Sequence, residues 1–118
     1  MNIKQTVSEA LEDASPLSRA FEKAEKEPEF PGRNKYGHKT NDAYSEYKEG
    51  HFTFHVSHLN NDVAVHYKGD HIATVSKYGG YGQFPAQYKV YHFDTRKESF
   101  HDTPSHAFDR IKHLSDIR

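Results

Sequence analysis

His51-Phe52-Thr53-Phe54-His55-Val56-Ser57 alternates polar and apolar side chains at every step. Successive strand residues point to opposite faces of a sheet, so Phe52, Phe54 and Val56 share one face while His51, Thr53, His55 and Ser57 share the other. Such alternation defeats a helix and describes a half-buried antiparallel strand. Asn60-Asn61-Asp62 follows as a turn, because short amide and carboxylate side chains bond the local backbone and tolerate left-handed conformations. Val63-Ala64-Val65-His66-Tyr67 returns. A turn centred between Asn60 and Asn61 pairs Phe54 with Tyr67, Val56 with Val65 and His55 with His66.

Lys68-Gly69-Asp70 is a second turn, leading to His71-Ile72-Ala73-Thr74-Val75-Ser76. A two-residue loop pairs Tyr67 with Ile72, and a three-residue loop with a bulge pairs Val65 with Val75; both registers stay open. Tyr78-Gly79-Gly80-Tyr81-Gly82-Gln83-Phe84-Pro85 is a glycine- and aromatic-rich loop, and Gln87-Tyr88-Lys89-Val90-Tyr91-His92-Phe93 is a further strand with large side chains on both faces. Asp94-Thr95-Arg96-Lys97 is read as its closing turn. Thr103 then caps a helix that begins at Pro104, where a missing N–H is harmless. Ala107, Phe108, Ile111 and Leu114 form its inward stripe. These elements predict an α+β fold: an antiparallel three- to four-stranded sheet packed on a C-terminal helix, preceded by a helical N-terminal segment.

That segment covers residues 1–27. Thr6 or Ser8 can cap a short helix carrying Ile3, Val7 and Leu11, and Ser15-Pro16 restarts a second with Leu17, Ala20, Phe21 and Ala24 on one side. Residues 28–50, with Pro28, Pro31, Gly32 and Gly37 among many polar side chains, read as a linker or irregular arm that Tyr36, Tyr44 and Tyr47 could anchor. Residues 51–118 form the sheet-and-helix domain. Charge follows this division: residues 1–49 hold eight Lys/Arg against ten Asp/Glu, and residues 50–118 hold eight against seven.

With 34% apolar residues in a chain of 118, the core is small. The absence of cysteine excludes disulfides, thiolate catalysis and cysteine-bound zinc. No apolar run approaches the roughly 20 residues of a membrane span, and no signal-peptide core opens the chain. The expectation is a soluble, cytoplasmic protein without a membrane association.

Ten histidines raise the question of a metal or of catalysis. His51 and His55 lie about 13 Å apart along a strand, too far to share an ion. His55 and His66 are the nearest approach to a ligand pair, since the register above brings them together on the exposed face, but no third ligand is visible and no metal or other cofactor is expected. Gly79-Gly80-Tyr81-Gly82 lacks the lysine-serine that completes a phosphate cradle. No catalytic constellation presents itself, so the chain reads as a non-enzymatic binding or regulatory protein. Histidines with ordinary pKa values would also add charge between about pH 7 and 5.5.

Tyrosine, phenylalanine and arginine on a small rigid sheet beside a Gly-Tyr loop are residue types that anchor protein interfaces. Tyr78, Tyr81, Phe84, Tyr88, Tyr91, Arg96 and Lys97 are the predicted partner-binding residues. Nucleic-acid binding through the sheet face is the alternative, with Lys68, Lys77, Lys89, Arg96 and Lys97 interleaved among tyrosines, although a net charge of −1 is a poor electrostatic footprint. A histidine-dependent metal protein or enzyme is a second alternative, and the apolar stripes of residues 3–24 offer a further contact, to the sheet, to a partner or to a second copy of the chain in a homodimer.

The run Val63 to Val75, then Tyr88-Lys89-Val90-Tyr91, then Thr103 to Ile111, resembles the strand-strand-strand-helix layout of small phage and prophage accessory proteins. In outline it is also similar to the arm-binding domain of phage integrases. What the layout implies is a protein that binds and modifies a host process or blocks a host defence; it carries no site residues with it.

Overall fold

The computed structural model describes residues 15–30, 43–58, 60, 62–80 and 82–117. The expected helix over Ile3, Val7 and Leu11, the arm residues 31–42 including Tyr36, and Tyr81 all lie outside the described residues. The elements are α1 (Pro16–Ala24), β1 (Tyr44–Glu49), β2 (Phe52–Ser57), β3 (Asp62–Tyr67), β4 (Asp70–Tyr78), β5 (Gln87–His92), β6 (Lys97–His101) and α2 (Pro104–Leu114). The six strands form one antiparallel sheet in sequence order, a meander. The fold is α+β as expected, but with six strands rather than three or four.

Both added strands have polar inward faces, which is why alternation did not reveal them. Strand β1, read from sequence as the end of an irregular arm, pairs Ser45 with Val56, Tyr47 with Phe54 and Glu49 with Phe52. Its core side combines one ring with hydrogen bonds: Tyr47 packs against the core, its hydroxyl donates to Glu49 at 2.7 Å, and Arg19 of α1 pairs with the same carboxylate. Strand β6 starts at Lys97, where the sequence suggested a turn, and turns Lys97, Ser99 and His101 toward the side of Tyr88, Val90 and His92. The chain enters it through Arg96, whose φ is 56°.

Register corrects the first hairpin. Phe54 faces Val65, Val56 faces Val63 and Phe52 faces Tyr67, so each β2 residue meets a partner two positions earlier than expected. His55 therefore faces Ala64, and His66 faces Thr53. In the second hairpin neither expected register occurs: Tyr67 pairs with Asp70 and Val65 with Ala73, with a bulge between Val65 and His66 that takes up Ile72. Lys68 and Gly69 carry φ of 51° and 89°, the paired positive angles of a tight two-residue hairpin turn.

Both helices lie on the same side of the sheet, α1 over β1 and β2, α2 over β5 and β6, and they touch each other. Each starts as the sequence foretold: Ser15 Oγ accepts from the Ser18 N–H at 3.2 Å and Thr103 Oγ1 from the His106 N–H at 3.1 Å, each followed by a proline. Leu17, Ala20 and Phe21 from α1 and Ala107, Phe108 and Ile111 from α2 meet Phe54, Val56, Val63, Val65, Ala73, Val75, Tyr88 and Val90 in one core. Among the described residues, no helix covers the opposite face, called the open face below. No described helix is long and apolar enough to cross a membrane.

Candidate functional site

The six expected partner-binding residues that lie among the described residues do not form one surface. Tyr78 ends β4, opposite Gln87. After it the chain doubles back through Gly79 and Gly80, and the Gly80 N–H donates to the Phe84 carbonyl at 2.9 Å, pinning the base of the loop. This leaves the two rings in water, Tyr78 51% and Phe84 67% exposed. With Gly79, Pro85 and Gln87 they line an open groove of about 400 Å³. Gly79 has a φ of 73°, and a Cβ there would drive into the Pro85 carbonyl, so only glycine lets the two arms of the loop approach.

Tyr88 is a correction: it is 8% exposed and packs edge-on against Phe21, ring centroids 5.1 Å apart. The reason is parity, since Tyr88, Val90 and His92 alternate inward on β5. Tyr91 points the other way onto the open face, where Phe93 meets it edge-on at 5.2 Å. Arg96 and Lys97 sit in and after the β5–β6 turn, at the opposite end of β5 from Gln87.

The histidines divide by environment. His66 and His71 face each other across β3 and β4 with rings stacked at 4.7 Å and 16°. His55 stacks on Tyr44 at 4.3 Å, and Tyr44 on Phe30 at 4.8 Å. Between the two stacks Glu46, Thr53, His55, His66 and Gly69 line a dish of about 280 Å³. Burial, and then the neighbouring His66 and His55, hold the pKa of His71 below the ordinary imidazole value. The expected face-to-face contact of His55 with His66 is replaced by this diagonal arrangement, and among the described residues no group of three or more acidic or histidine side chains is placed to hold a metal ion.

Other imidazoles are structural. His58 Nε2 lies 2.8 Å from Ser45 Oγ, which also accepts from the Glu29 N–H at 3.1 Å. Ser45 is only 1% exposed, and its hydroxyl is enclosed between these two partners. His101 bonds Ser99 at 2.7 Å, and His92 is enclosed in the core.

Phe30, Phe93 and Phe100, exposed at 47%, 37% and 59%, are surface rings that sequence reasoning passed over. Phe100 alternates with Glu98 on the outside of β6, and that alternation was the available signal. No family model, curated protein or solved structure matches this chain. The layout likened to phage accessory proteins is here extended by β6, lying between the third strand of that run and the helix.

Proposed function

We propose that the chain is a non-enzymatic binding protein that captures a protein partner in the groove at Tyr78 and Phe84. The observation that carries this reading is the exposure of two large rings on a hairpin whose base is fixed by the Gly80–Phe84 bond and by Gly79. Aromatic anchors that are rigid before binding lose little freedom on docking, which is why such residues dominate interface energies. The resemblance to small phage accessory proteins read from the sequence makes a host protein, blocked or modified by binding, our first choice of partner.

Nucleic-acid binding has less support. Lys89 is paired with Glu98 at 2.7 Å, Lys77 lies 3.8 Å from Glu25, and Lys68 rests over the Tyr67 ring at 5.4 Å. Three of the five basic residues interleaved with tyrosines are therefore engaged within the chain, on top of a net charge of −1.

Capture of a partner from host lysate by the untagged, surface-coupled protein tests the reading. Replacing Tyr78 and Phe84 together by alanine is expected to weaken capture by at least about 30-fold, as loss of hot-spot anchors does. The melting temperature should move by no more than a few degrees, because neither ring is in the core. Undiminished capture by a folded double variant would rule the groove out.

A further inference from the structure

The two edges of the sheet are finished differently. The outer edge of β1 is closed by the chain itself: Phe30 exchanges both backbone bonds with Tyr44, at 2.9 and 3.0 Å, and the Glu46 N–H donates to the Glu29 carboxylate at 2.9 Å. On β6 no described residue plays that part. The Phe93 N–H donates to the Ile72 carbonyl, and bonded pairs of an antiparallel ladder recur at every second residue, so Tyr91 and Lys89 also turn their backbone groups toward β4. Tyr88, Val90 and His92 are left to bond His101, Ser99 and Lys97 of β6. The N–H and C=O groups of Glu98 and Phe100 therefore point out of the sheet, unpaired among the described residues. Neither proline nor bulge guards them.

The two sides of this edge differ in chemistry. On the open-face side stand Phe100, 59% exposed, and Glu98, already bonded to Lys89 at 2.7 Å. On the helix side stand Lys97, Ser99 and His101. Burial, and then the nearby Arg110 and His106 of α2, hold the pKa of His101 below the ordinary imidazole value, and Asp102 is the one carboxylate that opposes them. Arg110 and His106 thus flank the same edge. Neither Lys97 nor Arg110 forms an ion pair among the described residues. The edge is basic on its helix side and presents an exposed ring on the other.

We propose that β6 is a strand-addition site that takes an extended peptide segment, antiparallel, in which acidic side chains alternate with apolar ones. Glu98 and Phe100 supply two N–H donors and two C=O acceptors. Facing residues of neighbouring strands share a side, so the peptide residues bonded to Glu98 and Phe100 lie beside the Phe100 ring, and those flanking them lie beside Lys97, His101 and Arg110. The first set is apolar and the second acidic. A second copy of the chain is the poorer occupant, because a two-fold axis through Ser99 sets Lys97 against His101 and each α2 flank, with its Arg110, against its equivalent. An acidic strand meets the opposite sign there. The inference does not rest on the groove at Tyr78 and Phe84, although the two sites adjoin: Gln87 lies two residues along β5 from Lys89, which faces Phe100.

The probe is the peptide acetyl-Glu-Val-Glu-Val-Glu-Val-Glu-amide, titrated into the isotope-labelled chain at neutral pH and low salt and followed by amide shifts and hydrogen exchange. Saturable binding is expected, with a dissociation constant on the order of 100 µM and with exchange slowed at the amides of Glu98 and Phe100. N-methylation of the valines, whose N–H groups face β6, should weaken binding at least about tenfold, whereas N-methylation of the glutamates should not. The same peptide with lysine in place of glutamate should bind at least about tenfold more weakly, and Arg110→Gln should narrow that difference. Phe100→Pro removes an outward N–H that has no partner, so it should abolish binding while moving the melting temperature by no more than a few degrees. The methylated peptides carry the test if that variant does not fold.

No binding at about 1 mM peptide overturns the proposal, as does binding indifferent to valine methylation or to charge reversal, or shifts confined to Tyr78 and Gln87. Slow exchange at Glu98 and Phe100 in concentrated protein without peptide would assign the edge to a second copy and overturn it as well. Failure of the probe, with lysate capture still dependent on Tyr78 and Phe84, overturns the strand site alone and leaves the groove intact.

Discussion

Phe54→Ala is expected to lower the unfolding free energy by about 3–5 kcal/mol, the largest effect of any single truncation in this chain. Phe54 has no exposed surface, and its ring lies between Tyr47, Phe52 and Phe108, with centroids at 6.1, 6.0 and 5.9 Å. It joins the edge of the sheet to α2, so the cavity cannot collapse without moving a helix and two strands at once. Small domains hold only about 5–15 kcal/mol in total, and one with so little apolar material belongs near the bottom of that range. Urea denaturation followed by circular dichroism should show the midpoint falling to near zero denaturant. Leu17→Ala, also without exposed surface, should cost about 2–5 kcal/mol in the same single transition, because α1 shares the core. A loss below about 1 kcal/mol for Phe54→Ala would place its ring outside the core and contradict the packing described.

Alternation foretold what depends on the face of a strand and missed what depends on its partner. The division of Phe52, Phe54, Val56, Val65 and Tyr67 from His55 and His66 holds in the structure, while the pairing between them is displaced by two residues. A displacement of two returns every side chain to its own face, so a period of two is blind to it. Only the turn could have settled the register, and the asparagine pair pointed one position too far along the chain.

The strands that went unread share a physical cause. Ser45, Tyr47 and Glu49 on β1, and Ser99 and His101 on β6, lie on the helix side of the sheet and bond polar groups there, Ser45 to His58, Tyr47 to Glu49, Glu49 to Arg19 of α1 and Ser99 to His101. A hydropathy pattern registers such segments as loop. The helix caps were legible because they depend on local chemistry, a hydroxyl followed by proline, that tertiary packing did not override. Of the candidate site, Tyr78 and Phe84 were legible as aromatics beside glycine, whereas the inward turn of Tyr88 followed from the parity of Val90 and was hidden by the large side chains on both sides of β5.

Histidine content, read from sequence as a single surface property, separates in the fold into distinct roles, and the rings that lose hydration on folding set the response to acid. His92 is 1% exposed and closes the far end of β5. Its Nδ1 receives the Thr95 N–H at 3.4 Å and lies 2.8 Å from Thr95 Oγ1, while its Nε2 lies 2.8 Å from Ser115 Oγ beyond the end of α2. These partners assign the neutral tautomer with hydrogen on Nε2, since a proton on Nδ1 would face the Thr95 N–H. Burial accordingly lowers the pKa of His92; it is also the leading cause of the lowered pKa values of His71 and His101. With all three depressed in the folded state, the unfolded chain takes up protons first as pH drops below about 6.5. Stability should therefore be level above about pH 7 and decline below about pH 6.5, until the pH passes the folded values, each unit of depression corresponding to about 1.4 kcal/mol. His92→Asn should cost about 1–3 kcal/mol at neutral pH by disturbing the bonds to Thr95 and Ser115, yet lose less on acidification than the wild type because one of the three titrating groups is gone. Urea midpoints measured from about pH 7.5 to 5, at low micromolar protein so that association does not contribute, would reveal converging curves. Parallel curves would mean that His92 titrates alike in the folded and unfolded chain, and that its enclosure between β5 and α2 does not keep it neutral.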